Sequence, residues 1–288
     1  MEVSELIKKV RKIEIKTKGL TNHIFSGEYH SAFKGRGMSF SEVREYQYGD
    51  DIRNIDWNVT ARFQHPYVKI FEEERELTIM LLIDVSKSSF IGTQTQLKNE
   101  IIAEIAGVLA FSAIQNNDKV GVLFFSDTIE MFIPPKKGKS HILRIIREIL
   151  NFEPKSNKTN IAFALERFNN MVKRKSIAFV LSDFIDENYK EELRHIAKKH
   201  DVVGIKVYDN LDMELPKIGL LQVQDVETGT TKWIDTNDKE TQQSYKKQAD
   251  FFDKNFESSF LKAGADKLKI NTAQSYVHIL MNFFKKRS

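Results

Sequence analysis

The 288-residue chain contains no cysteine. That absence excludes disulfides, thiolate metal sites and cysteine nucleophiles, and it fits a reducing compartment. No uninterrupted apolar run is long enough to span a bilayer. The N-terminus, MEVSELIKKVRKIEIK, lacks the apolar core of a signal peptide, so a soluble, cytoplasmic protein is expected. Charge of one sign is scarcely in excess: 44 Lys and Arg against 40 Asp and Glu leave +4, which does not argue for nucleic acid, whose binding wants a basic stripe. Internal repeats and low-complexity linkers are lacking. Several catalytic signatures are lacking too. Gly138-Lys139-Ser140 has Ile133 where a phosphate loop needs its earlier glycine. Gly35-Arg36-Gly37 follows no strand and meets Phe40 where a dinucleotide fingerprint has its third glycine. There is no G-x-S-x-G elbow and no H-E-x-x-H, and His195 and His200 are badly spaced for one helical face. Asp84-Val85-Ser86 lacks the second aspartate of phosphatases that use an aspartyl nucleophile. The chain is expected not to be an enzyme.

What is present is an ordinary globular composition, 41% hydrophobic and 29% charged, long enough for one large domain or two smaller ones. The most informative stretch is Leu77–Ser89, LTIMLLIDVSKSS. Its apolar run reads as a strand buried on both faces. It stops at Asp84, where an open parallel sheet binds ligands. Ser86 and Ser88 add hydroxyls at every second position, and such oxygens suit a hard cation. Taken alone, the same three residues serve equally well as loop acceptors and a helix cap.

Before this stretch, Ser4–Ile15 has the spacing of an amphipathic helix with a basic outer face. Gly19–Gly49 has no period. Gly49–Glu76 is dense in Asp, Arg and Glu, which predicts a partly buried polar network in which Arg44, Arg53 and Arg62 face Asp50, Asp51, Asp56 and some of Glu72–Glu74. Tyr67–Phe71 alternates like a strand. After it, strands and helices take turns: helix Leu97–Gln115, a hairpin of Lys119–Phe125 with Ile129–Ile133, helices Ser140–Leu150 and Thr159–Val172, strand Ser176–Leu181, helix Glu187–His200 and strand Val202–Tyr208. A second hairpin, Gly219–Val223 with Thr231–Ile234, precedes helices over Lys239–Lys262 and Thr272–Lys285. This alternation predicts an α/β fold, a mostly parallel, doubly wound sheet with helices on both faces. The expected division is an N-terminal extension, 1–76, packed on a main domain, 77–288.

Three loops should converge at the ligand-binding edge of that sheet, carrying Asp84-x-Ser86-x-Ser88, Thr159 in KTNIAFAL, and Asp183 in FVLSDF. In order and kind these residues resemble the metal-ion-dependent adhesion site of von Willebrand factor A domains. The resemblance implies a Mg²⁺ (or Mn²⁺) held by Asp84, Ser86, Ser88, Thr159 and Asp183, directly or through water, with one position open to an acidic side chain of a partner. Upstream, Phe40–Tyr46, GDDIRNIDW, Ala61-Arg62 and Val68-Lys69 resemble the signature of a bacterial family of von Willebrand A-like proteins. That family is catalogued as a domain of unknown function, number fifty-eight, and its members are often encoded beside MoxR-type AAA+ ATPases. This implies a metal-dependent protein-binding module acting as an ATPase adaptor. A metal-dependent hydrolase and a scaffold with a vestigial site are the alternatives. The chain departs from the pattern at Lys158, where a glycine is common, and at Ser89, where methionine is common. Lys87 places a cation between the two serines.

Overall fold

The computed structural model describes residues 3–20, 38–73, 76–86, 98–156, 158–224 and 231–287. Among them the chain forms two compact units, 33–77 and the remainder. Helix α1 (Val3–Leu20) therefore groups with the larger unit, which divides the expected extension 1–76 in two.

The smaller unit is an antiparallel pair, β1 (Met38–Glu45) and β2 (Tyr67–Glu73), joined through a short 3-10 turn (Ile52–Asn54) and helix α2 (Trp57–Phe63). Strand β1 falls in the segment expected to be irregular. Asp56 caps α2, its carboxylate accepting from the amides of Asn58 and Val59, as a helix start requires. Arg44 grips Asp50 with two parallel bonds of 2.7 Å, and Arg53 pairs with Asp51 at 2.8 Å. The Arg44–Asp50 pair is partly buried, as expected, whereas Arg53–Asp51 is more exposed. The Arg53 side chain is 85% accessible, so its pairing is a surface contact of small energetic weight.

The larger unit is built on a six-stranded sheet: β3 (Thr78–Asp84), β4 (Lys119–Phe125), β5 (Ile129–Lys136), β6 (Ile177–Ser182), β7 (Asp201–Tyr208) and β10 (Asp266–Asn271). Their order across the sheet is β10-β7-β6-β3-β4-β5. All neighbours are parallel except the β4–β5 hairpin at one edge. The chain winds outward from β3 through β4 to β5, then returns to β6 on the other side of β3. The order thus reverses between β3 and β6, and the crevice outside their carboxyl ends is the switch point at which such sheets bind ligands.

The intervening helices are α3 (Lys98–Gln115), α4 (Lys139–Asn151), α5 (Ile161–Met171), α6 (Lys190–Ala197), α7 (Asn210–Met213), α8 (Lys239–Ala263) and α9 (Tyr276–Arg287). Successive strand side chains alternate between faces. Met80, Leu82, Leu123, Phe125, Ala178 and Val180 meet Phe168 of α5, Leu193 and Ile196 of α6, and Phe256 and Phe260 of α8. The alternate residues of β3, among them Leu81 and Ile83, are equally buried and turn to the face that α3 covers. Helix α3 is buried nearly all round, because α1 lies outside it. The basic residues of α1 find acidic partners here: Lys9 meets Glu100 at 2.6 Å and Lys16 meets Glu104 at 2.5 Å. The expected second hairpin is β8 (Leu220–Gln224) with β9 (Thr231–Asp235). Gly204 in β7 lets α8 come close. A Cβ there would lie 2.3 Å from the Phe260 ring, well inside van der Waals contact.

Candidate metal centre

Asp84 is the last residue of β3 and Ser182 the last of β6, and the parallel register sets them side by side. The Ser182 hydroxyl donates to Asp84 Oδ2 at 2.6 Å, and the Ser86 amide donates to Oδ1 at 2.9 Å. The Ser86 hydroxyl donates to the same carboxylate. A hydroxyl whose proton is committed to a carboxylate keeps its lone pairs for something else. Ser182 spends one on the Phe184 amide, 3.0 Å away. Asp84 and Ser86 are buried, at 1% and 0% exposure.

Asp183 follows directly and is 3% exposed. The turn after it is unusual. Phe184 sits at φ 56°, a left-handed conformation that costs a side chain about 1–2 kcal/mol. The Phe184 ring is held among Tyr189, Phe256 and Phe260. That packing and the Ser182 bond maintain the turn, which leaves Asp183 beside Asp84 at the mouth of the switch point. Asp183 Oδ2 is buried and has no hydrogen-bond partner among the described residues.

Two carboxylates this close and this dry interact strongly. Burial raises the Asp84 carboxyl, the negative charge of Asp183 adds to the rise, and the bonds from Ser182 and Ser86 oppose it; the result is about 7. Such a pair is relieved either by a proton on one carboxyl or by a cation close by.

The loop before α5 reaches the same end of the sheet. The Asn160 amide donates to the Ser126 carbonyl just beyond β4 at 3.0 Å. The Ile161 amide donates to Asp186 Oδ2 just beyond β6 at 2.8 Å, and the Asn160 side chain caps α5. These bonds hold the loop that carries half-buried Thr159 at the carboxyl end of the sheet. The structure therefore brings Asp84, Ser86, Thr159 and Asp183 to one edge. Ser88 lies outside the described residues, as does Lys87. Lys158 is exposed. No group of three or more His, Cys, Asp or Glu gathers anywhere among the described residues. A cation here would rest on two carboxylates and hydroxyl oxygens, a donor set suited to Mg²⁺ or Mn²⁺.

Ser182 stands in the expected loop FVLSDF but had no role assigned to it; it is the residue level with Asp84 on a parallel neighbour. Two further neighbours escaped the sequence reading. Lys98 and Asp212 carried no signal. Lys98 is 2% exposed; its ammonium lies 2.6 Å from Asp212 Oδ2 and 3.8 Å from Asp183 Oδ2. Beside Asp183 and Asp212 opens a pocket of about 180 Å³, with walls that include Ile185, Met213, Phe252 and Lys206.

The molecule is thus an α/β protein with a mostly parallel sheet and an oxygen-rich, acidic site at its switch point. The chain belongs to the family described as protein of unknown function DUF58, which it matches over residues 42–254. Uncharacterized protein Mb1516 of Mycobacterium bovis and uncharacterized protein Rv1480 of Mycobacterium tuberculosis are each 30% identical to it over 226 residues, 77% of this chain and 71% of theirs. Among solved structures, conserved hypothetical protein BatB from Bacteroides thetaiotaomicron aligns with a TM-score of 0.47 at 15% identity, covering 73% of this chain and 98% of that one. The SpRpn10 VWA domain aligns at 0.38 and 12%, covering 74% and 95%. Both likenesses are remote. No helix among the described residues is long and apolar enough to cross a membrane.

Proposed function

We propose that the chain is a non-enzymatic, metal-dependent protein-binding module. Mg²⁺ or Mn²⁺ is held by Asp84, Ser86, Thr159 and Asp183, with Ser88 completing the set, and an acidic side chain of a partner fills the open position. The observation that carries this reading is the buried Asp183 oxygen without a hydrogen-bond donor among the described residues, next to a second buried carboxylate at the sheet's switch point. Asp84 also works through its neighbours: it accepts hydrogen bonds from the Ser86 and Ser182 hydroxyls, which leaves lone pairs of the Ser86 oxygen for the metal. The bound cation supplies a Lewis-acidic site that keeps exchangeable water and accepts a carboxylate. The apolar walls beside Asp183 give an adjoining partner residue somewhere to rest. The family resemblance of the segment from Phe40 to Lys69 makes a MoxR-type AAA+ ATPase the partner of choice.

Thermal and chemical unfolding with and without Mn²⁺ test the metal. Wild type should gain roughly 2.7 kcal/mol at a hundredfold excess over Kd, and Asp84→Ala should gain nothing. Equal gains in both proteins, or none in wild type, remove the metal from the proposal. Pull-down with wild type and Asp84→Ala then tests the partner, which should be retained by wild type alone.

A further inference from the structure

A buried ammonium beside a proposed cation site needs explaining. Lys98 opens helix α3 and is 2% exposed. Removing a lysine charge from water costs several kcal/mol unless a counter-ion is supplied. Here there are two. Asp212 is the nearer, at 2.6 Å, and it is well anchored, because its Oδ2 also accepts from the Asp209 amide at 2.7 Å in the capping box of α7. Asp183 Oδ2 is the farther, at 3.8 Å, too long for a hydrogen bond but well within electrostatic reach. The ammonium is therefore hydrogen-bonded to one carboxylate and only electrostatically engaged with the other. Among the described residues that leaves the lone pairs of Asp183 Oδ2 to a different cation, while Lys98 keeps Asp212 as its partner.

We infer that Lys98 is a resident cation that sets the metal affinity of the Asp84–Asp183 site: it shields Asp183 when no metal is bound and relies on Asp212 alone when one is. This rests on the metal reading above, yet it makes a claim that reading does not. Lys98 and the metal compete for the field of Asp183, and Asp212 decides how strongly Lys98 competes. The two residues should therefore shift affinity in opposite directions. Lysine suits the role because its charge is compact and swings on a flexible stem.

The test is Mn²⁺ binding by calorimetry to the full chain, with denaturation in EDTA alongside. Lys98→Met keeps the stem and removes the charge. It should tighten Mn²⁺ by on the order of tenfold or more, since charges this close interact appreciably even at an effective dielectric of about 20. It should also destabilise the protein in EDTA and recover stability when Mn²⁺ is added. Asp212→Asn preserves size at a partly exposed position; with Asp212 neutral, Lys98 turns to Asp183 and Mn²⁺ weakens by a similar factor. Lys98→Met binding Mn²⁺ no better than wild type, or Asp212→Asn binding it no worse, overturns the inference. If Lys98→Met does not fold, the Asp212→Asn titration decides alone. Wild-type binding with unchanged variants sinks only the role of Lys98, whereas no binding by wild type or either variant sinks the metal reading as well.

Discussion

Without metal, Asp84 should be a liability to the fold at neutral pH and above, and Asp84→Asn should expose it. The folded-state carboxyl is raised from 3.8 to about 7. For a carboxyl raised on folding, the native state binds a proton that the unfolded chain has released. Stability is therefore lost as pH climbs from the unfolded value to the folded one, and the loss is complete above the latter. The interval is about 3 pH units, and each is worth 1.36 kcal/mol, so ionised Asp84 costs about 4 kcal/mol above pH 7. Asparagine is never charged. It must, however, face both the Ser182 hydroxyl and the Ser86 amide with one oxygen and one NH₂, which forfeits about 1 kcal/mol of hydrogen bonding. In EDTA at pH 8 the variant should exceed wild type by about 2–3 kcal/mol in urea denaturation. At pH 4, near the unfolded value, wild-type Asp84 carries little of this cost and the advantage should vanish. Saturating Mg²⁺ should close the gap at pH 8 by stabilising wild type alone. A variant no more stable than wild type in EDTA at pH 8 would mean that Asp84 is adequately compensated in the metal-free protein, and the argument for a missing cation would fail.

Two other substitutions probe what positions the site. Ser182→Ala removes the 2.6 Å donor to Asp84 and the acceptor of the Phe184 amide. It should cost about 1–3 kcal/mol, with the loss at pH 8 exceeding that at pH 4, measured by urea denaturation in EDTA. Gly204→Ala drives a methyl into the Phe260 ring. It should cost about 1–3 kcal/mol through overpacking, and Gly204→Ala with Phe260→Leu should recover part of that loss in a double-mutant cycle.

Much of the scaffold was legible before any coordinates. The runs ending at Asp84, Phe125, Ser182 and Tyr208 are mostly apolar because parallel strands bury both faces, and the loop between β4 and β5 is too short for a crossover. Strand β10 was missed. In DKLKIN, Lys267 and Lys269 suggest a solvated segment, but at the sheet edge they pair with Glu257 and Asp253 of α8, and charge is what an edge strand tolerates. Strand β1 was missed because MSFSEVRE acquires its strand character from pairing with β2 rather than from its own pattern.

The sequence by itself determined the parallel α/β framework and the two aspartates at its carboxyl edge, because burial periodicity and chain order are local records of the sheet. Tertiary structure alone decided the electrostatics. It placed Ser182 level with Asp84, folded Phe184 into a left-handed turn, and brought Lys98 to a point between Asp183 and Asp212. A buried lysine and a surface lysine are the same letter in a sequence. What separates them is the pair of carboxylates that long-range packing brings within a few ångströms.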